Sequence, residues 1–470
     1  MNISRREFLF GAAAFGLGGW RLFAAPPGWK PHSNPNIVFG VLADTHLRIS
    51  RSGGYDGRNW PDKYLVAALE HFRAQNVDAV VHCGDMADRG VIAEMQFHAD
   101  AWRKVFPDGC AADGRKVKKL FINGNHDVAG GNYGKGFRLE QIWPDPEERA
   151  KHLLSSDMAG NWERIWGEKY EPVWHKEVKG YHFFGRHWNE NEYKHTGEKP
   201  FADYIRSNAD VCSLKGTKPF FILSHRRHHF FFCQALKDFP NAVAFMGHWH
   251  QSNADWKSIY FDRDTFGGFF PHIQVGACRY DGQDGMFPPD EIKLQEDSSS
   301  WKCDNLPSRQ AMIVNVFDDM VVFERHEVGQ GGKLGPDWVM PLGEFKPHPF
   351  SRAELAKTCG TPEFGKKAKL EVSLKEPALC VKIPMADGNP DSRVYAYEMV
   401  VVGDDPKAKL FKNAFFEGVN AGIGHEPKNG ITEVKIPAAE LPVGKKLTIA
   451  VRPVSSLGTK GKAIAAKLRT

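Results

Sequence analysis

The chain has 470 residues, 42% hydrophobic and 25% charged, the proportions of an ordinary globular protein with room for two or three domains and not of a disordered one. Its formal charge is +5; the first 24 residues hold Arg5, Arg6 and Arg21 against Glu7, so the remainder carries +3. That near-neutral balance argues against nucleic-acid or membrane-surface binding.

Residues 1–25 read as an address. Ser4-Arg5-Arg6-Glu7-Phe8-Leu9 precedes an apolar, Gly/Ala-rich stretch, Phe10 to Trp20, and Ala24-Ala25-Pro26-Pro27 then breaks any helix. The pattern resembles a twin-arginine export signal, which implies the twin-arginine machinery as a partner and a periplasmic or cell-envelope destination. The apolar run is short for a bilayer span, so membrane contact is expected only if the segment stays uncleaved.

Five apolar runs of strand length follow, each ending in a polar cluster. Asp44-Thr45-His46 follows NIVFGVLA, and Gly84-Asp85-Met86-Ala87-Asp88-Arg89-Gly90 follows VDAVVHC. Gly124-Asn125-His126-Asp127 follows KLFIN, Ser224-His225 follows KPFFIL, and Gly247-His248-Trp249-His250 follows NAVAFM. Between the first clusters, Lys63 to Arg73 and Ala93 to Phe106 have helical apolar spacing, which suits crossovers between parallel strands. The order predicts an α/β fold for residues 36–328, layered β-sheets flanked by helices, in which strand ends converge on one crevice. Within it, residues 128–218 are dense in aromatics, including Trp143, Trp162, Trp166, Trp174 and Trp188, and read either as a lid over the crevice or as an extra subdomain.

Residues 329–360 form a Gly/Pro-rich linker in this reading. Beyond it, 361–470 shows short strands without helices, at 369–374, 378–383, 394–402, 431–436 and 447–451, the pattern of a small all-β sandwich resembling a fibronectin type III or immunoglobulin-like module. The eight cysteines show no CxxC pair and no zinc-ribbon spacing. Cys83, inside an apolar run, reads as a small buried hydrophobe.

The five clusters carry the chemistry. Hydrolysing a phosphoester at neutral pH needs a strong nucleophile, neutralisation of an anionic transition state and a proton for the leaving oxygen. Two neighbouring cations meet the first two demands by acidifying a bridging water and clamping phosphoryl oxygens. Asp85, directly after a strand and a glycine, suits a carboxylate shared by both. Asp44 with His46, and His248 with His250, are spaced to address ions from a turning chain, and Asn125 and His225 add an oxygen and a nitrogen. A ligand set without thiolate suits Mn, Fe, Zn or Co.

Taken together, Asp44-x-His46, Gly84-Asp85-x-x-Asp88-x-Gly90, Gly124-Asn125-His126-Asp127, His225 and Gly247-His248-x-His250 resemble the calcineurin-like metallophosphoesterase superfamily, motif by motif and in order. The resemblance implies a binuclear hydrolase with Asp44, His46, Asp85 and His250 on one metal and Asp85, Asn125, His225 and His248 on the other. It implies a metal-bridging hydroxide as nucleophile, with His126 unligated and protonating the leaving group. Asp88 is then expected to orient His126 and keep it cationic. Asp127 is expected to brace its loop; His228 and His229 to support the site; Arg186, His187 and Asn189 lie where relatives run a strand beside it. The expected activity is a phosphodiesterase, with phosphomonoesterase and an envelope-binding protein with a vestigial catalytic domain as alternatives. The expected substrate is a phosphorylated small molecule or an envelope-derived phosphoester.

Overall fold

The computed structural model describes residues 23–24, 30–31, 33–50, 61–128, 138–188, 197–228, 230–250, 253, 258–260, 270–279, 302–303, 309–328, 332–334, 337–342, 361–387, 394–405, 411–416, 431–442, 446–455 and 459–469. Arg5 and Arg6 of the export pattern, Asn189, His229 and the 343–360 part of the expected linker lie outside the described residues.

In chain order, β1 (Phe23–Ala24) is followed by β2 (Ile37–Leu42), α1 (Pro61–Ala74), β3 (Ala79–Cys83), α2 (Ile92–Val105), β4 (Lys118–Ile122) and the single turn α3 (Asn125–Val128). Next come α4 (Pro146–Lys151), α5 (Met158–Trp166), β5 (Val173–Val178), β6 (Tyr181–Arg186), α6 (Glu198–Ser207), β7 (Phe220–Leu223), α7 (Phe230–Ala235) and β8 (Ala242–Met246). Short strands β9 (Ile259–Tyr260), β10 (His272–Gln274) and β11 (Lys302–Cys303) precede β12 (Gln310–Val316), β13 (Met320–Glu327), β14 (Gly332–Lys333) and β15 (Trp338–Pro341). The carboxy-terminal strands are β16 (Glu371–Lys375), β17 (Ala378–Pro384), β18 (Val394–Gly403), β19 (Phe411–Phe416), β20 (Ile431–Pro437), β21 (Lys446–Ser455) and β22 (Ile464–Arg469).

Two sheets make the larger, amino-terminal region. The first runs β1-β15-β13-β12-β2-β3-β4, with β14 on β13, and its β2, β3 and β4 are parallel. The second runs β5-β6-β7-β8-β10-β9, parallel from β6 to β10. Alternation along β2 sends Ile37, Phe39 and Val41 to the inner face, where they meet Phe183, Phe221 and Phe245 of the second sheet in one buried cluster. Phe39 makes edge contacts with Phe183 and Phe221, at 5.2 and 4.8 Å between ring centroids. On the outer faces, α1 and α2 cover the first sheet through Leu65, Leu69, Phe72, Met95 and Trp102. Helices α6 and α7 cover the second through Phe201, Ile205 and Phe232. The result is a four-layer α/β sandwich in which α1 and α2 are the expected crossovers. Gly40 permits the close seating of α1: a Cβ there would stand 2.5 Å from the ring of Phe72.

Four boundaries differ from the sequence reading; the first is at the amino terminus, where β1, inside the expected 1–25 signal segment, pairs antiparallel with β15 of the first sheet. The aromatic stretch at 128–218 is neither a lid nor a separate subdomain over its described part, because β5 and β6 belong to the second sheet. Its Trp162 and Trp166 are buried with the outer helices, and Trp174 lies between the sheets. The tryptophans serve the core because a two-sheet sandwich needs large apolar volume on three interfaces at once. The first sheet also continues past 328: β14 and β15 fall in the expected linker, and Trp338 is buried against Arg325, whose guanidinium lies 4.0 Å from its ring. Finally, β11, inside the expected catalytic span, pairs in parallel with β19 of the carboxy-terminal module.

That module consists of a five-stranded sheet, β11-β19-β18-β21-β22, and a three-stranded sheet, β16-β17-β20. Leu379, Val381 and Ile383 of the smaller sheet share a core with Tyr397, Met399, Val401, Ile449 and Val451 of the larger. Among the described residues, no helix is long and apolar enough to cross a membrane.

Candidate metal centre

The carboxyl ends of β2, β3 and β4 in one sheet face those of β7 and β8 in the other, and the polar clusters meet there. At these ends the chain must turn at once from strand to inward-facing ligand. Asp44, His46, Asp85, His248 and His250 accordingly take left-handed backbone angles, with φ of 55°, 43°, 56°, 74° and 51°. Such angles cost non-glycine residues about 1–3 kcal/mol each and persist where surroundings enforce them. The enforcement is visible: Asp44 N donates to Gly84 O at 3.0 Å, and His46 N to Asp85 O at 3.0 Å. His248 N lies 3.1 Å from Asp44 Oδ2.

One cluster joins Asp44, His46, Asp85 and His250, all buried, with candidate ligand atoms within 4.8 Å of one another. A second joins Asp85, His225 and His248. His250 Nε2 lies 3.3 Å from Asp44 Oδ1 and 3.0 Å from His46 Nε2, while His225 Nε2 lies 3.1 Å from Asp85 Oδ2. Asn125 Oδ1 completes the second cluster, 2.9 Å from His225 Nε2 and 2.8 Å from His248 Nδ1. All seven expected ligands therefore converge, and Asp85 belongs to both groups. Glycines make the cradle. A Cβ on Gly247 would stand 2.5 Å from Asp44 Oδ2, and one on Gly124 would collide with Asp85 Oδ1.

The electrostatics suit cations. Burial would raise the Asp85 carboxyl, but the imidazoles of His225, His126 and His46 outweigh it and hold it well below the usual range. Burial pushes His46 down to about 4 and His248 to about 3, so both present neutral nitrogen donors. His225 goes the other way: although burial lowers it, Asp85 and Asp44 push it up to about 9, so it balances part of the charge of the two buried carboxylates and is the imidazole that a cation would have to deprotonate. The donor set, carboxylate, imidazole and amide oxygen without thiolate, fits two divalent or trivalent transition metals. His225 is held for this: its Nδ1 donates to Cys83 O at 2.7 Å, which turns Nε2 toward the cluster.

His126 is half-buried at the rim, its ring edge-on to His46 at 4.5 Å. Its backbone N–H donates to Asp85 Oδ1 at 2.8 Å. The expected role of Asp88 is corrected by the geometry. His126 Nδ1 donates to the Asp88 backbone carbonyl at 2.7 Å, not to its carboxylate. The carboxylate instead receives Arg279 Nη1 on Oδ1 and Arg48 Nη2 on Oδ2, at 2.6 and 2.7 Å, and faces His46 Nδ1 at 3.5 Å. Two guanidiniums outbid one imidazole for it, so Asp88 stands behind a ligand and its main chain positions His126.

Asp127 braces the loop as expected, accepting from Ala87 N and Gly124 N at 2.7 Å each. Burial and the neighbouring Asp85 push its carboxyl up to about 7. His228 is buried, bonded to Ser224 Oγ at 2.9 Å and stacked on Phe232. His187 accepts from Asn123 N at 3.0 Å among Trp162 and Tyr170, and Arg186 lies over Phe201; neither belongs to the ligand clusters. Sequence reasoning missed Trp188, Arg48 and Arg279. Trp188 lies just past β6, its ring 5.6 Å from His248 and 5.7 Å from His225. Its place after a strand of the second sheet was the available signal. The arginines follow strand-like runs without a motif of their own.

Residues 37–252 match the family model described as Calcineurin-like phosphoesterase. No curated protein matches the chain. Among solved structures, a dimetal phosphatase from Danio rerio shares 13% identity at a TM-score of 0.36, over 66% of this chain and 100% of that one. A purple acid phosphatase from yellow lupin (Lupinus luteus) seeds shares 12% identity at a TM-score of 0.38, over 65% of this chain and 54% of that one. Every converging ligand lies inside the matched span; residues 37–252 form a calcineurin-like metallophosphoesterase domain, and the protein is a metal-dependent phosphoester hydrolase.

Proposed function

We propose that the protein is an exported binuclear phosphodiesterase, with Asp44, His46, Asp85 and His250 holding one ion and Asp85, Asn125, His225 and His248 the other. The observation that carries this reading is the sharing of Asp85 between two converging donor groups with His126 beside them. When bound, the ions supply an activated water and neutralise phosphoryl oxygens. The chain's own residues do the rest. Asp85 fixes the spacing of the two groups and, through His126 N, the position of the rim histidine. With Nδ1 donating to Asp88 O, Nε2 of His126 is the atom that holds a proton for the leaving oxygen.

Diester preference is supported by the likeness of the Asp44-Thr45-His46-Leu47 and Gly84-Asp85-Met86-Ala87-Asp88 motifs to the phosphodiesterase-like group of the superfamily. Export rests on the twin-arginine pattern at Arg5 and Arg6. The test is turnover of bis(para-nitrophenyl) phosphate against para-nitrophenyl phosphate by metal-loaded protein. Faster cleavage of the bis-ester is expected, and strong preference for the monoester overturns the assignment.

A further inference from the structure

Away from the catalytic cluster, His175 of β5, His182 of β6 and Cys212, in the turn after α6, bring two imidazole nitrogens and a thiol together. Their candidate ligand atoms lie within 4.8 Å of one another. His175 Nε2 is 3.0 Å from His182 Nδ1 and 3.7 Å from Cys212 Sγ. With Zn–N near 2.05 Å and Zn–S near 2.3 Å, tetrahedral geometry places two nitrogens about 3.3 Å apart and nitrogen and sulfur about 3.6 Å apart. The observed spacings lie within a few tenths of an ångström of both.

We infer that His175, His182 and Cys212 form a third, mononuclear metal site for a borderline-soft transition ion such as Zn2+, clasping the β5–β6 hairpin to the segment after α6. Its donors differ in kind from the thiolate-free catalytic set, and thiolate with imidazole selects zinc or copper over hard cations. The backbone builds it. His175 pairs with Phe184, and Glu177 with His182, across the hairpin, so the two histidines and Glu177 share the sheet's outer face. The His175 ring is stacked on Phe184, 4.7 Å between centroids, which fixes its direction. Cys212 is a buried free thiol, whereas both histidines are half-exposed, so an ion has a path from solvent. Burial lowers both histidines and raises the thiol, so the imidazoles are neutral near pH 7 and the ion must displace one proton, from sulfur. The imidazoles then carry their protons on His175 Nδ1 and His182 Nε2, and exposed Glu177 balances the remaining charge. His182 sits at the opposite end of β6 from Arg186, about 13 Å along the strand from the end beside the catalytic crevice. Among the described residues β5 is the edge of its sheet, so the clasp secures an edge strand.

Full-length protein stripped by a chelator and reloaded with Co2+ provides the test, because only a site containing sulfur gives a thiolate-to-cobalt charge-transfer band in the near ultraviolet. The band is expected in the native chain and lost in Cys212→Ser and in His182→Gln. Both variants should bind one equivalent less metal while cleaving the bis-ester at the native rate, and Zn2+ should raise their Tm less than that of the native chain. Absence of the band in the native protein, or its persistence at full strength in both variants, overturns the site and leaves a plain histidine–histidine hydrogen bond.

Discussion

Asp85 carries more than one duty, and substitution separates them. Asp85→Asn removes the charge common to both ligand groups while keeping the acceptor for His126 N, so metal analysis should show both ions weakened together and turnover lost with them. Retention of either ion at native occupancy contradicts a shared carboxylate. His126→Ala predicts the reverse split: metal content stays native, and kcat falls about 100- to 10,000-fold for esters with poor leaving groups. The loss should shrink for para-nitrophenolate, which leaves without a proton, and loss of metal instead would make His126 a ligand. At this scale the sequence was legible for ligands, because each sits directly after an apolar run and its motif fixes its register. It was not legible for Asp88, since GDxxDRG does not say whether a side chain or a carbonyl meets His126. That choice fell to Arg48 and Arg279, one following the first cluster and the other 191 residues from Asp88.

Between elements, Glu94 in the first turn of α2 ties two ligand loops together. Its carboxyl accepts from Ile49 N at 3.1 Å and from Arg89 N at 2.8 Å, in full burial. Burial, with the nearby Asp88 charge, pushes it up to about 8 from its ordinary 4.5. A carboxyl raised on folding is protonated in the native state and ionised in the unfolded one over that interval. Its stabilising contribution is complete below about 4.5 and is lost as pH rises towards about 8, at up to about 1.4 kcal/mol per unit. Glu94→Gln stays neutral throughout but leaves one backbone N–H facing an amide group, at roughly 1–3 kcal/mol. The variant should therefore start less stable at pH 5, with the gap narrowing towards pH 8 in denaturant titrations of metal-saturated protein. Parallel curves rule out a buried titration at Glu94. Element types were largely readable: apolar runs became β2, β3, β4, β7 and β8, and helical spacing became α1 and α2. Strands β19 and β22 escaped, because FKNAFF and IAAKLR have weak alternation of apolar and polar residues and acquire strand identity from pairing with β18 and β21.

Across the whole molecule, the catalytic sheets close at Pro341, while the carboxy-terminal module keeps its own core. A chain ended after Leu342 should retain native kcat/KM on small esters and native catalytic metal content. It should melt at a lower temperature, because β11 loses its partner β19. Loss of activity would mean that the module shapes the crevice. The domain edges were the least legible feature, since β11 and β15 are short and owe their place to distant partners. The two sheets also divide the ligands between them. Asp44, His46, Asp85 and Asn125 belong to one, and His225, His248 and His250 to the other. A growing polypeptide that has not yet completed β8 thus lacks a full coordination shell for either ion. Metallation would in this sense await the docking of both halves, and ions held by these residues would join one sheet to the other. Chelation should then loosen the joint as well as silence the enzyme.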